Sequence, residues 1–270
     1  MAVHQLLNTL YVTTERAYVH VDHETLKVEE QGQLKAQVPL HHLGAVVCFG
    51  DVLVSPALVQ RCAAEGRELV FLDRNGRFQA RVVGPTTGNV LLRQAQYQAF
   101  QHPGKSLNIA RAIVAGKVQN ARQVLLRGAR ETAEQGPQER LRQAAERHAQ
   151  ILEKLPSSGS VDEVRGWEGE AAQLYFHVFQ ELVREDRDTF KFDGRNRRPP
   201  LDPVNAVLSF LYTLLRADCV SALEGVGLDP QLGFLHALRP GRPALGLDLM
   251  EELRTFVADR LSLTLINRKQ

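Results

Sequence analysis

The sequence predicts an α+β protein in which a strand-rich N-terminal domain is linked to a larger, all-α C-terminal domain. Residues 1–83 consist of short β-rich runs separated by polar breaks, residues 84–88 have the composition of a linker, and residues 89–270 show helical periodicity. At 270 residues the chain is long enough for two domains, each with its own core.

The strands of the first domain are predicted from alternation and from one continuous apolar run. Val19 and Val21 alternate with polar residues, as in half-buried antiparallel strands, whereas residues 45–49 are apolar throughout and indicate a buried strand. Ser55-Pro56 predicts the start of a short helix that Gly66 ends. The predicted strands are 10–14, 17–21, 25–28, 34–38, 45–49, 68–72 and 77–83, with a hairpin turn at 73–76.

The second domain begins with a long amphipathic helix, predicted over 107–130 from its apolar stripe. The other faces of this helix carry basic residues, which indicate either a nucleic-acid contact or a solvated surface: Arg111, Lys117, Arg122, Arg127 and Arg130. Residues 138–155 are strongly polar and predict a surface helix or arm. Asp202-Pro203 begins a nearly all-apolar core helix, and Asp229-Pro230 predicts a short helix leading to His236.

Glu168 is a candidate site residue because of its position in a helix that Ser160 and Glu163 begin as a capping box. It lies at the edge of the apolar stripe and is flanked by Gly166 and Gly169. Two glycines inside a helix cost about 1 kcal/mol each. The pattern therefore predicts that a neighbouring helix or a ligand approaches the backbone there.

One imidazole and two carboxylates lie within a short apolar segment near the C-terminus. His236 closes an apolar run, and Asp248 and Glu251 follow three residues apart, on one face of a predicted helix. Hard divalent cations such as Mg²⁺ and Mn²⁺ prefer carboxylate oxygens, and Mn²⁺ also accepts imidazole nitrogen. Arg239 and Arg242 in the intervening loop favour an anion at the same place, such as a phosphodiester. The alternative is structural, with Asp248 as N-cap, Glu251 reaching back and His236 in the core.

Composition limits the class of protein and its compartment. The formal net charge is only +2, but most of the 33 basic residues are arginines, so a nucleic-acid partner is allowed and not required. The three cysteines, Cys48, Cys62 and Cys219, are interpreted as free core thiols of a reducing cytoplasm. We find no signal-peptide pattern and expect no apolar run of membrane-spanning length.

Four motifs, in order and at the right separations, carry a family resemblance. They are Arg165-Gly-Trp-Glu-Gly-Glu-Ala-Ala-Gln-Leu-Tyr-Phe176, Arg195-Asn-Arg-Arg-Pro-Pro-Leu-Asp-Pro-Val-Asn-Ala206, Gly227-Leu-Asp-Pro-Gln-Leu-Gly-Phe-Leu-His236 and Leu247-Asp-Leu-Met-Glu-Glu252. Together they closely resemble the CRISPR-associated integrase/endonuclease that inserts spacers into CRISPR arrays, in particular its type I-C group. Members of that group usually continue beyond the position of Gln270, so the chain is expected to be C-terminally truncated.

The resemblance implies a metal site and a set of DNA contacts. The family's metal ligands match Glu168, His236 and Glu251, with Asp248 near the site as a further candidate, and the cofactor would be Mg²⁺ or Mn²⁺. The arginines expected to bind DNA phosphates are Arg165, Arg195, Arg197, Arg198, Arg239 and Arg242. The implied partners are double-stranded and branched DNA, a second copy of the chain in a homodimer, and a small ferredoxin-like Cas subunit.

The implied reaction is a cleavage and ligation in which a spacer 3′-hydroxyl attacks a phosphodiester of the repeat. The same site would cut branched DNA if water replaced the hydroxyl. Two other functions remain open: a non-catalytic DNA-binding scaffold that uses the same arginines, and a generic metal-dependent nuclease.

Overall fold

The structure of the chain is a computed structural model that describes residues 3–6, 8–84, 90–197 and 199–269. The chain divides into two compact units, Met1–Gly88 and Asn89–Gln270. The first is rich in strands and the second is helical, which confirms the predicted α+β class. Arg198 and residues 85–88 of the predicted linker lie outside the described residues.

The described part of the first unit contains nine strands and one α-helix. The strands are β1 (Val3–Leu6), β2 (Thr9–Val12), β3 (Tyr18–Asp22), β4 (Thr25–Glu30), β5 (Gln33–Pro39), β6 (Ala45–Phe49), β7 (Leu53–Val54), β8 (Glu68–Leu72) and β9 (Phe78–Val82), and the helix is α1 (Pro56–Glu65). Ser55 accepts a hydrogen bond from the Leu58 N–H as N-cap, and Gly66 ends α1 with φ 65°, as predicted.

These strands form two mixed sheets, with the orders β1-β2-β6-β8-β9 and β5-β4-β3-β7. The expected antiparallel pairing holds for β3, β4 and β5, but β6 pairs in parallel with both β2 and β8. The parallel pair β6–β8 is possible because α1 provides the crossover between the two strands. Buried side chains from both sheets and from α1 share one core, which includes Cys48 and Cys62 as free thiols.

The second unit is built around one long helix. Its described α-helices are α2 (Val90–Gln101), α3 (Pro103–Glu131), α4 (Gln135–Lys154), α5 (Val161–His177), α6 (Pro203–Gly225), α7 (Ala244–Leu253) and α8 (Arg260–Asn267), and a π-helical segment, Arg254–Asp259, joins α7 to α8. The long helix α3 packs against α2, α4, α5 and α7. Helices α5 and α7 carry the candidate acidic residues, and both of them pack against α3.

One prediction for this unit is confirmed in its first alternative and another is wrong. Residues 138–155 form a surface helix and not an arm, because α4 packs along α3, buries Leu141, Ala145 and Ile151, and exposes its polar face. Asp229-Pro230 begins a turn and not a helix. The Gln96 side chain in α2 accepts a hydrogen bond from the Asp229 N–H and donates to the Asp229 carbonyl, both at 2.8 Å, so a tertiary contact takes the backbone groups that a helix would use.

Helix α6 corrects the expectation that no apolar segment reaches membrane-spanning length. Over 23 residues it is long and apolar enough to cross a membrane by length and composition. One such helix is weak evidence for a span, because core helices pass the same test. Leu208, Leu215 and Leu223 of α6 enter three different core clusters of the unit.

Candidate metal centre

A buried aspartate in α7 holds the segment that carries His236. Asp248 Oδ2 accepts hydrogen bonds from the Phe234 and Leu235 N–H groups at 2.6 and 3.0 Å, and Oδ1 accepts one from the His236 N–H at 2.9 Å. The Asp248 side chain has no exposed surface. Because α7 begins at Ala244, Asp248 lies in its second turn and cannot be the N-cap. The capping interpretation of Asp248 is therefore wrong.

Gly233 lets this segment lie against the start of α7. A Cβ placed on Gly233 would be 2.6 Å from the Ala244 carbonyl carbon and 2.8 Å from Asp248 Oδ2. Both distances are shorter than any real Cβ contact, and one of them is to backbone that cannot easily move. The close approach therefore requires glycine at this position.

The same aspartate fixes the orientation of the His236 ring. The Nδ1 of His236 lies 2.7 Å from Asp248 Oδ1. Since a carboxylate only accepts, Nδ1 carries the proton, and in the neutral ring Nε2 has a free lone pair. That Nε2 lies 3.8 Å from Glu251 Oε1. An imidazole held by a carboxylate behind it is the usual arrangement of a histidine metal ligand.

Glu251 is a buried carboxylate that stays ionised. Its side chain is 3% exposed and forms ion pairs with Arg254 and Lys117. Burial would raise the pKa of Glu251, but the positive charges of Arg254 and Lys117 outweigh that effect and lower the pKa to about 2. The Lys117 ammonium lies 2.5 Å from Oε2 without ordinary hydrogen-bond geometry, so this oxygen has a charge partner but no directed bond.

The Glu168 side chain, which belongs to α5, contacts the same Lys117 ammonium as Glu251. Its Oε1 accepts a hydrogen bond from the Lys117 ammonium, and its side chain is 26% exposed. A Cβ placed on Gly166 or Gly169 would meet nothing within 4 Å. Among the described residues no neighbouring helix comes within that distance, so the expectation of a close neighbouring helix is wrong. The backbone beside Glu168 is open instead.

The motifs do not identify Lys117 or Arg254 as site residues of this centre. Lys117, predicted to lie on a basic outer face, is buried in α3, and its ammonium group contacts both Glu168 and Glu251. The helical repeat contains the signal, because position 117 lies three residues after buried Val114 and four before buried Ala121.

A second buried cluster borders the centre. Tyr212 donates a hydrogen bond to Asp259 Oδ1 at 2.6 Å, and the Arg254 guanidinium carbon lies 5.0 Å from the centre of the Tyr212 ring. Burial raises the pKa of Asp259 to about 6 despite the hydrogen bond from Tyr212 and the charge of Arg254. Arg254 and Asp259 are the two ends of the π-helical segment, a local structure frequent at functional sites.

The candidate DNA-binding arginines differ in their exposure and in whether their guanidinium groups already donate hydrogen bonds within the protein. The guanidinium of Arg195 donates to Asn205 Oδ1 at 2.6 Å and to Ser209 Oγ at 3.1 Å, and Arg165 Nε donates to the Leu235 carbonyl at 2.5 Å. Both side chains are at least partly used in holding the fold. The other described members of the set are Arg197 and Arg239, which are exposed, and Arg242, which is half-buried.

The donor set has the right chemistry for a hard divalent cation. As the described side chains are placed, no three His, Cys, Asp or Glu residues are close enough to hold a metal ion. At this centre the Lys117 ammonium lies against both glutamates. Glu168, Glu251 and His236 Nε2 nevertheless offer the oxygen and nitrogen atoms that Mg²⁺ or Mn²⁺ would take. Asp248 uses both oxygens on the backbone and imidazole of residues 234–236, so it is placed to orient His236.

Comparison with known proteins agrees with the architecture, a β-rich domain followed by a helical one. The chain belongs to the Cas1 family, because the family profile "CRISPR associated protein Cas1" matches residues 10–270. It is 55% identical over 268 residues to the "CRISPR-associated endonuclease Cas1 1" of Moorella thermoacetica, covering 99% of this chain and 78% of that protein.

Solved structures share the fold. A "Casposase bound to integration product" superposes with a TM-score of 0.80 at 22% identity, covering 97% of this chain and 73% of the other. A "Cas6-RT-Cas1--Cas2 complex" gives a TM-score of 0.77 at 24% identity, covering 99% of this chain and 29% of the other. The α+β architecture is therefore one that Cas1 domains and a casposase adopt.

Proposed function

We propose that this chain is a metal-dependent DNA integrase and endonuclease of CRISPR spacer acquisition. The observation that carries the proposal is that one ammonium group contacts both Glu168 and Glu251, while Nε2 of the Asp248-oriented His236 lies 3.8 Å from Glu251 Oε1. Membership of a family whose curated relatives are named endonucleases supports nuclease chemistry. The fold shared with a casposase that was solved with its integration product supports integration as the form of that chemistry.

Each side chain of the centre has a separate proposed role. Glu168, Glu251 and His236 Nε2 would hold Mg²⁺ or Mn²⁺, which supplies Lewis acidity toward a phosphoryl oxygen when bound. Asp248 keeps the His236 lone pair directed into the site. In strand transfer a 3′-hydroxyl oxygen forms a bond to phosphorus while the bond to the leaving 3′-oxygen breaks, so phosphodiester bonds are exchanged and not lost.

The arginines beside the site are proposed to hold the flanking phosphates. Arg239 and Arg242 lie in the loop between His236 and α7. Removing one arginine that binds a phosphate makes the slope of log affinity against log salt concentration less steep by about 1. We expect that change in Arg239→Ala and Arg242→Ala but not in Arg142→Ala, an exposed arginine in α4. Equal slopes in all three variants would exclude Arg239 and Arg242 from the DNA contact.

The proposed assembly follows from the family resemblance. We propose that the chain acts on double-stranded and branched DNA as a homodimer together with a small ferredoxin-like Cas subunit. A structure that shares its fold is named as a complex containing Cas2. Co-purification of that subunit with the chain, and the mass of the complex in solution, test this part.

The activity test uses labelled branched DNA that mimics a half-integrated spacer, incubated with Mn²⁺, Mg²⁺ or EDTA. Wild type is compared with His236→Ala and with Asp193→Asn, which alters an exposed carboxylate in the 190–200 loop. We expect metal-dependent cutting or strand transfer at the branch from wild type and Asp193→Asn, and none from His236→Ala. Binding without reaction in every condition would favour a scaffold, and cutting of linear DNA without preference for the branch would favour a generic nuclease.

A further inference from the structure

Lys117 competes for the oxygens that a bound cation would need. Its ammonium contacts Glu168 Oε1 and Glu251 Oε2, and its side chain is 10% exposed. An ammonium and a divalent cation carry like charges and cannot both lie against these two oxygens in a poorly solvated site. For the carboxylates to bind a metal ion, the ammonium has to leave them.

The local charges make this exchange favourable. Three carboxylates at the centre, Asp248, Glu168 and Glu251, face two basic side chains, Lys117 and Arg254. With Asp259, which interacts with Arg254 and Lys117, the carboxylates outnumber the basic side chains among these groups. Arg254 remains bonded to the other oxygen of Glu251, so the fold of α7 does not depend on Lys117 alone.

A small internal cavity behind the centre can receive the ammonium. The cavity has a volume of ≈ 20 Å³ and is lined by Lys117, His148, Tyr175, Arg254, Thr255 and Asp259, among others, with the positive charge of Arg254 already paired with Glu251. About 10–15 Å³ is enough for one water molecule, and an ammonium group is of similar size. The buried Tyr175 hydroxyl lies beside the Asp259 carboxylate, and the buried Thr255 Oγ1 has no hydrogen-bond partner among the described residues. Together with the Asp259 carboxylate they are the acceptors that a buried ammonium requires.

We propose that Lys117 is a displaceable internal cation, which joins Glu168 to Glu251 in the metal-free chain and retracts toward Tyr175, Thr255 and Asp259 when a divalent cation binds. This rests on the proposed metal-dependent function. In the metal-free state Lys117 keeps two buried carboxylates from repelling each other, and in the loaded state it leaves their oxygens free. Lys117 is thus a positioning residue and makes no contact with DNA in this scheme.

The test measures Mn²⁺ affinity by titration calorimetry on the full 270-residue chain, without DNA, for wild type, Lys117→Met and Lys117→Arg. Methionine keeps the length of the side chain but removes the competing charge, so we expect Mn²⁺ to bind roughly tenfold tighter, a change similar in size but opposite in sign to the loss when a group that supports metal ligands is removed. Without metal, Lys117→Met should melt at a lower temperature than wild type, and Mn²⁺ should raise its melting temperature more. Arginine is too large for the cavity and should bind Mn²⁺ more weakly than wild type.

Tyr175→Phe tests the retraction separately, because it removes an acceptor from the cavity and leaves the metal-binding side chains unchanged. We expect weaker Mn²⁺ binding from this variant, and an unchanged affinity would overturn the retraction even if Lys117→Met failed to fold. Equal or weaker binding by folded Lys117→Met would overturn the competition. Failure of every protein, wild type included, to bind Mn²⁺ would instead refute the proposed metal site.

Discussion

Replacing Asp248 by asparagine should damage both the stability of the helical unit and its metal site. The two carboxylate oxygens accept four hydrogen bonds, two each, from the N–H groups of residues 234–236 and from His236 Nδ1. Asparagine is nearly the same shape, but its NH₂ group faces either the Phe234 and Leu235 N–H groups or the His236 N–H and ring, and the neutral ring can accept from it only in its other tautomer. One or two hydrogen bonds to a charged acceptor are then removed, at about 1.5–3 kcal/mol each, which gives about 1.5–6 kcal/mol.

The loss can be measured by urea unfolding followed through Trp167, which is the only tryptophan of the chain and lies in α5 of the same unit. Asp193→Asn is the matched control and should stay within about 0.5 kcal/mol of wild type. Mn²⁺ affinity should also fall in Asp248→Asn, because the amide no longer holds the Nδ1 proton in place. An Asp248→Asn protein that unfolds within about 1 kcal/mol of wild type and binds Mn²⁺ equally well would refute this account of Asp248.

Three further substitutions have defined outcomes. Gly233→Ala should lower both the melting temperature and Mn²⁺ affinity, because its Cβ would collide with Asp248 and the start of α7. Gly225→Ala, where the space is open, is the control and should change neither. Equal effects of the two substitutions would contradict the close approach of Gly233 to α7. Gly169→Ala should stabilise α5 by about 0.5–1 kcal/mol. It should also reduce cutting of branched DNA if the substrate lies against the open backbone at this position. Stabilisation with full activity would exclude a DNA contact there. For Asp259, a raised pKa of about 6 means that the folded chain holds the proton more tightly than the unfolded chain, so its contribution to the free energy of unfolding should fall as pH rises from about 4 to 6. Asp259→Asn should remove that fall, and parallel pH profiles for the two proteins would show that the carboxyl is not perturbed.

The residues of the centre could be predicted from local pattern. His236 ends an apolar run, Asp248 and Glu251 share a helix face, and Glu168 lies between glycines at the edge of a stripe. Helix limits marked by strong caps were also predictable, as at Ser55, where the side chain bonds the Leu58 N–H.

Features that depend on distant parts of the chain could not be predicted in the same way. The segment at Asp229 is irregular because Gln96, 133 residues away, takes its backbone groups. Asp248 looks like a helix cap in sequence, yet α7 begins four residues earlier and its carboxylate serves the loop before it. Lys117 shows an intermediate case, because its position in the repeat predicts burial but only the tertiary structure supplies its two partners.

The most direct measurement is anomalous diffraction at the manganese edge from crystals of the full chain grown with Mn²⁺. A single strong peak bounded by Glu168, His236 Nε2 and Glu251, with the Lys117 ammonium moved away from both carboxylates, is the result expected. A peak elsewhere, or none while Lys117 still joins the two glutamates at saturating Mn²⁺, would contradict a metal centre at this position.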